Sequence, residues 1–412
     1  MKILFLTQYF PPEVGAAASR SYDYLQELRK GGHEIVVISE TPHYPSAQVD
    51  EKYKGSFFFK ETYHSLPVIR SFVFVSGRKN FYQRAMLYLS FMISSVFSAR
   101  FAGKVDVVVA TSPPPTVGLA GWMISRLKRS KFVVDIRDLW PESALALGEM
   151  KPGLLANILK KIELFLYRKA DRITIAVPGF RKYIMNLGIS KEKIEDLPNG
   201  ANLDMFSGKQ QYATEIRKRH GWDGKFVVLF SGNLGLAQGL NYILATANQM
   251  RAHHNILFVF IGDGVEKQGV QKKAREMDLK NVLFLEKQSR EKMPQFISAA
   301  DVCLVPLIKH RLFLNALPSK MFEYMACEKP ILVAIDGEAK MLIQKSEAGI
   351  FVEPENVPKM KEAILELYHN REMMLTMGFK GRKYVEQYYC RKKLAKKFEN
   401  ILRRCIYEKK IE

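Results

Sequence analysis

The chain has 412 residues, long for one core and enough for two domains, and its 47% apolar content excludes extended disorder. Its formal charge of +21 predicts an anionic partner: a phosphorylated substrate, an anionic membrane surface or a nucleic acid. Four scattered cysteines (Cys303, Cys327, Cys390, Cys405), without a Cys-x-x-Cys pair or metal-ligand spacing, fit a reducing compartment.

Met1–Leu6 is too short for a signal-peptide core, so a cytoplasmic chain that starts as a strand is expected. Lys2–Leu6 reads as that buried strand, Gln8–Ala18 as a loop, Ser19–Leu28 as a helix closed by Gly31-Gly32, and Glu34–Ile38 as a second buried strand. Together they form a βαβ unit, whose ligands sit beyond the strand C-termini. Gly15 is there either for close backbone approach or as a plain hinge. This loop has no G-x-G-x-x-G, which argues against nicotinamide and flavin dinucleotides.

Phe57–Val75 is aromatic and strand-like. Phe81–Phe101 then changes character: between Arg84 and Arg100 lie fifteen uncharged, mostly apolar residues, short of the about 20 that cross a bilayer. Basic at both ends and rich in aromatics, it suits a helix lying in the membrane interface; the alternative is a core helix of the first domain. Val105–Ala110 is another buried strand, Thr111–Thr116 a rigid proline loop, and Gly118–Leu127 a helix. Lys131–Glu142 is a strand running into a polar loop. Asp135, Arg137, Asp138 and Glu142, beside Trp140, crowd one strand end where α/β sheets bind ligands, although edge solvation explains some of them.

Leu154–Ala170 reads as an amphipathic helix, Arg172–Val177 as a strand and Phe180–Leu187 as a helix. The turn-rich Glu195–Asp204 marks a domain boundary. A second βαβ series starts at Lys225–Phe230, followed by the glycine-rich loop Ser231–Gly239, a helix at Leu240–Met250, strands at Ile256–Ile261 and Asn281–Leu285, and a helix at Met293–Ala300. Asp301–Pro306 reads as a buried strand. Pro318 then suits a first helical position, and Ser319 is placed to satisfy helix-start amides. A helix start with Lys320 and Glu323 in its first turns is an anion seat, or else an ordinary crossover with surface charges. Ile331–Ile335 and Gly349–Val352 close the domain, and Lys393–Tyr407 is a basic amphipathic helix. The alternation predicts an α/β protein of two doubly wound domains facing each other across a cleft.

In this order the pieces resemble the retaining glycosyltransferases of GT-B fold, family four, built from two facing Rossmann-like domains. The matching pieces are the loop at Gly15, Gly32-His33-Glu34-Ile-Val, Asp135-Ile-Arg-Asp-Leu-Trp-Pro141, and Pro198-Asn-Gly200 with Asp204 and Phe206. They continue with Gly232-Asn-Leu-Gly, Ile261-Gly-Asp-Gly264, Ala300-Asp301, and Glu323-Tyr-Met-Ala with Lys329-Pro330. Within the family the chain is most similar to the bacterial N-acetyl-L-fucosamine transferases of surface-polysaccharide assembly, through Asp135–Ser143, Ser231–Gly235 with Gln238-Gly239, and Leu317–Met325.

The resemblance implies an acceptor-binding domain over 1–195, with a terminal helix at about 390–412 packing back on it, and a nucleotide-sugar domain over 196–390. It implies that Glu323 holds the ribose hydroxyls. Asn315 stands where the family has another glutamate, and Asn233 and Gln238 stand where an arginine and a lysine clamp the diphosphate. Lys320, with Arg20 second, is the candidate for the missing charge, and Gly15, Gly264 and Ser319 complete the donor set. Arg137 replaces a histidine of the pattern, which leaves Asp138 to orient the acceptor beside Arg137, Trp140 and Glu142. Asp138, Lys320 and Glu323 are thus the expected catalytic residues.

The implied reaction moves a sugar from a nucleoside diphosphate sugar, UDP-linked, to a polyprenyl-diphosphate-linked saccharide, with retention and with no metal or other cofactor. A diphosphate leaving group needs fixed positive charge more than a strong acid. The expected location is the inner face of the cell membrane, held peripherally by Phe81–Phe101 and basic patches. Rival readings are an epimerase or hydrolase of nucleotide sugars, or a membrane-associated scaffold with a non-catalytic donor site. Nucleic acid is not an expected partner, because the basic residues spread over many helices instead of one aromatic-interleaved face.

Overall fold

The computed structural model describes residues 1–13, 15–43, 48–76, 81–146, 148, 150–208 and 210–408. The chain divides into two compact units, Met1–Asn199 with Arg391–Glu412, and Gly200–Cys390.

The first unit holds strands β1 (Lys2–Leu6), β2 (Glu34–Glu40), β3 (Phe58–Tyr63), β4 (Leu66–Ser71), β5 (Val107–Ser112), β6 (Lys131–Ile136), β7 (Arg172–Ile175) and β8 (Ile194–Asp196). They form one sheet in the order β3-β4-β2-β1-β5-β6-β7-β8, parallel except for the β3–β4 pair. Near-continuous apolar runs make these strands, and β5 is buried along its whole length, as parallel strands covered on both faces are. Helices α1 (Ala16–Lys30), α2 (Phe81–Ser98), α3 (Pro115–Lys128), α4 (Glu142–Ala146), α5 (Leu154–Lys169) and α6 (Phe180–Asn186) belong to this unit.

Several boundaries differ from the sequence reading, and three have a local cause. α1 starts at Ala16, not Ser19, because the three alanines are strong helix formers and extend the turn toward Gly15. α3 starts at Pro115, the last proline of the expected rigid loop, since proline fits the first helical turn. β8 forms within the stretch read as turns, where Ile194 pairs with Ile173.

α2, within the stretch Phe81–Phe101, has one packed face and one exposed face. Its inner face packs on α3, β2 and β4. Ser94 Oγ donates to Phe72 O at 2.6 Å, Phe74 N to Ser90 Oγ at 2.8 Å, and Ser71 Oγ to Ser98 Oγ at 2.9 Å. Its outer face leaves Tyr82, Met86, Leu89, Ile93 and Phe97 exposed at helical spacing, a stripe that Phe57 and Phe72 continue. By length and composition alone, Tyr82–Ala102 is apolar enough to cross a membrane.

The second unit holds β9 (Phe226–Asn233), β10 (Ile256–Asp263), β11 (Val282–Leu285), β12 (Val302–Pro306), β13 (Ile331–Ala334) and β14 (Gly349–Phe351), all parallel in the order β11-β10-β9-β12-β13-β14. Its helices are α7 (Gln210–His220), α8 (Leu240–Gln249), α9 (Lys267–Glu276), α10 (Met293–Ala299), α11 (Ser319–Ala326), α12 (Glu338–Ser346), α13 (Val357–His369) and α14 (Arg371–Tyr388). The last helix, α15 (Arg391–Tyr407), returns to the first unit and packs on α1, with Phe398 against Tyr24 and Arg391 paired with Asp23 at 2.5 Å. In each sheet the strand order reverses beside one central strand, at β1/β5 and at β9/β12, and such switch points are where ligands bind.

Candidate functional site

In the second unit the site grows from the paired ends of β9 and β10. Gly232 faces Gly262 in register, and a Cβ on Gly262 would stand 1.9 Å from Gly232 O. Glycine at both positions lets the ladder run to Asn233 and Asp263, past the point where the sequence reading placed loops. α11 is tied to the same strand end. The Tyr324 hydroxyl accepts from Ser231 N at 3.0 Å and shares a hydrogen bond with Ser231 Oγ at 2.8 Å.

One turn before Tyr324, Lys320 Nζ lies 4.0 Å from the Phe230 ring centroid and donates to Gln238 Oε1 at 3.1 Å. Among the described residues it makes no ion pair. Loss of water around the ammonium lowers its pKa to about 7, against the opposing pull of Glu323, although part of the residue's surface stays open. When protonated, this ammonium sits on an aromatic floor beside a neutral amide, where an incoming anion can pair with it. The start of α11 adds free amides. Those amides receive no side-chain cap: Pro318 is the cap residue and Ser319 already lies inside the helix, which corrects the capping role expected of Ser319.

Glu323 is half-buried one turn further along α11, and Asn315 is half-buried in a short 3₁₀ turn, Arg311–Asn315. Asn233 is exposed at the end of β9, with its side chain against Gly235 and Gly264. Asn233, Gln238, Gly264 and Lys320 thus gather at the C-terminal ends of β9 and β10, with Ser319 and Glu323 on the same helix as Lys320, whereas the turn that carries Asn315 lies against Gly337, beyond β13.

Arg20 is a different case. It is 1% exposed inside the first unit, where its guanidinium donates to Asp135 Oδ2 at 2.5 Å, Asp135 Oδ1 at 3.2 Å and Leu197 O at 2.7 Å. Its expected place as a second phosphate cation is therefore corrected: the guanidinium is buried and engaged by Asp135 and Leu197 O. Burial opposes ionisation of Asp135, but Arg20 and Arg137 hold its carboxyl at about 2, and Thr174 donates to it at 2.7 Å. Arg137 also departs from its expected acceptor role. It donates to Asp135 at 3.1 Å, Ala17 O at 3.0 Å and Ser21 Oγ at 2.7 Å, joining the end of β6 to α1. Burial brings its pKa down to about 10, against the pull of Asp135.

Asp138 is half-buried just beyond β6. Burial raises its carboxyl to about 6, against hydrogen bonds from Ser143 and the Leu139 amide. Trp140 is half-buried beside it, and Glu142 pairs with Lys160 at 3.0 Å. Gly15 is exposed, with extended backbone and open space around it, so side chains would be tolerated there.

A further group, Glu13, Glu40 and His43, lies at the C-terminal ends of β1 and β2. One ligand atom from each stands within 4.8 Å of the others, and all three residues are buried. The sequence signal was slight: an acidic residue closing an apolar strand, with a histidine three positions on.

The two halves of the chain match two protein-family models. Residues 15–200 match the glycosyl transferase 4-like domain, and residues 213–384 match glycosyl transferases group 1. The putative colanic acid biosynthesis glycosyl transferase WcaI of Escherichia coli (strain K12) is 25% identical over 419 residues, covering 98% of this chain and 100% of its own. The probable glycosyltransferase WbjE of Pseudomonas aeruginosa is 26% identical over 336 residues, covering 79% of this chain and 81% of its own. Among solved structures, Anabaena HepE in complex with UDP and glucose superposes with a TM-score of 0.72 at 17% identity, covering 98% of this chain and 99% of that one.

Proposed function

Because the chain is a glycosyltransferase of the GT-B type, we propose that it moves a sugar from a UDP-sugar to a polyprenyl-diphosphate-linked saccharide during surface-polysaccharide assembly. The observation that carries this reading is Lys320, held by Gln238 over Phe230 beside the Gly232–Gly262 strand ends. A diphosphate seated there meets an ammonium and the amides of α11, which stabilise charge developing on the leaving group. Glu323, further along the same helix, is placed for the ribose hydroxyls. Asp138 orients the acceptor hydroxyl, whose proton passes to the departing phosphate oxygen on the donor's front face, with retention and without a metal.

The nucleotide base and the polysaccharide pathway are supported by relatives: UDP is bound by HepE, and WcaI is named for colanic acid biosynthesis. The stretches Asp135–Ser143 and Leu317–Met325 favour an N-acetylated amino sugar such as N-acetyl-L-fucosamine. Location at the inner membrane face is supported by the exposed stripe Tyr82–Phe97 together with the net charge of +21. Lys60 and Arg100 stand 4.0 and 4.7 Å from the Phe101 ring, at the foot of α2.

The test is UDP release from candidate UDP-sugars, with and without a polyprenyl-diphosphate-sugar acceptor, for wild type and Lys320→Ala. Release that requires the acceptor and collapses in the variant supports the reading. Turnover without acceptor points to a hydrolase or epimerase, and nucleotide binding without any turnover points to a scaffold.

A further inference from the structure

We propose that Glu13, Glu40 and His43 form a divalent-cation site in the first unit, suited to a first-row ion such as Zn²⁺ or Mn²⁺. The carboxylate of Glu40 carries the argument. It closes β2 at 0% exposure; the Gln8 amide lies beside it, but among the described residues neither carboxylate oxygen has a donor in good hydrogen-bond geometry. His43 Nδ1 stands 3.6 Å from Glu40 Oε1. A buried carboxylate in this state is costly, and Glu13 brings a second one to the same place. A divalent ion neutralises both together and supplies the electrophile that the Glu40 oxygens lack.

The rest of the group has the form of a ligand set. A carbonyl oxygen can only accept, so Nδ1 of His43 donates to Thr41 O at 3.1 Å, a bond that fixes the ring. Metal-bound imidazoles are commonly held by such a bond on the other nitrogen. The His43 amide donates to Glu13 Oε1 at 3.1 Å, which ties the loop after β2 to the loop after β1. Two ligands of one tetrahedral ion stand about 3.4 Å apart, so side-chain movements of about an ångström close a set already within 4.8 Å. Two carboxylates and an imidazole suit zinc or manganese better than calcium or magnesium, which favour all-oxygen shells.

This site lies in the first unit and uses none of the residues assigned to the diphosphate, so it stands whether or not the transfer itself is metal-independent. Its ion would brace the ends of β1 and β2, where a parallel sheet receives ligands.

The full chain, stripped with EDTA and free of nucleotide, is dialysed against Zn²⁺ or Mn²⁺, and retained metal is counted by mass spectrometry beside the melting temperature. The expected result is one ion per chain and a higher melting temperature in the wild type, with more than tenfold weaker retention in Glu40→Gln and His43→Ala. Glu40→Gln keeps the size of a fully buried side chain and is expected to fold. Should a variant fail to fold, the zinc X-ray absorption spectrum of the wild type decides: nitrogen and oxygen neighbours support the site, and sulfur neighbours overturn it. No retention by the wild type, or equal retention in folded variants, also overturns it.

Discussion

Lys320 donates to the side-chain oxygen of Gln238 at 3.1 Å, across 82 residues of sequence. The partner is neutral, so the ammonium is positioned without being neutralised. Gln238→Glu replaces that amide with a carboxylate and would cancel the charge that a diphosphate needs. We expect the KM for the donor to rise about tenfold or more, with little change in melting temperature. An unchanged KM would show that the diphosphate is held elsewhere.

The pH profile follows from two groups. Lys320 titrates at about 7 in the free protein, so it is charged below that pH and loses its proton as pH rises through it. Asp138 titrates at about 6 and becomes ionised above that pH. kcat/KM, which reports the free enzyme, should therefore peak near pH 6 to 7. Lys320→Arg should flatten the alkaline limb and Asp138→Asn the acid limb. A profile that neither variant alters would remove both from the mechanism.

The Arg20–Asp135–Arg137 group belongs to stability. Folding depresses the Asp135 pKa from 3.8 to about 2, so its contribution is present above pH 4 and is lost as pH falls through about 2. That shift corresponds to about 2 kcal/mol. Asp135→Asn leaves two neighbouring guanidiniums without their anion, which should cost about 3–5 kcal/mol in urea unfolding at pH 7. A loss below about 1 kcal/mol would mean that water reaches the pair.

Gly262→Ala tests the strand ends. The added methyl would stand 1.9 Å from Gly232 O, which is backbone and cannot turn aside. β9 and β10 must separate, so UDP binding measured by calorimetry should fall at least tenfold, with a loss of stability of a few kcal/mol. Gly15→Ala, made in open space, is the matching control and should leave the melting temperature unchanged.

The exposed stripe on α2 gives the fifth test. Met86→Glu with Ile93→Glu changes two exposed side chains that contribute little to the core. Binding to vesicles of anionic lipid should weaken by more than tenfold, while turnover of a detergent-soluble acceptor stays as it was. Equal binding would place the basic surface, not the stripe, in charge of docking.

Much of the fold was legible because its signals are local. The apolar runs at Lys2–Leu6, Val107–Ala110 and Ile256–Ile261 need no partner to be recognised as buried strands. β8 was not, because its three residues sit among turn-forming neighbours and gain their pairing only from β7. For the same reason Arg20 was placed in the donor site: its counter-ion stands 115 residues away, beyond the reach of any periodicity. Lys320 stood out in the sequence because a helix start after a strand is a local pattern, whereas its hold on Gln238 required the assembled sheet. Glu40 was passed over because burial, not residue type, makes a carboxylate unusual.

The return of α15 to the first unit bears on how the protein is made. The polypeptide leaves that unit at Asn199 and re-enters it at Arg391, so the second unit is inserted within the first. A ribosome can release the second unit to fold as soon as it clears the exit tunnel. The first unit must wait, with the apolar side of α1 uncovered, until Phe398, Leu402 and the Arg391–Asp23 pair arrive. The domain begun first is the last to be completed.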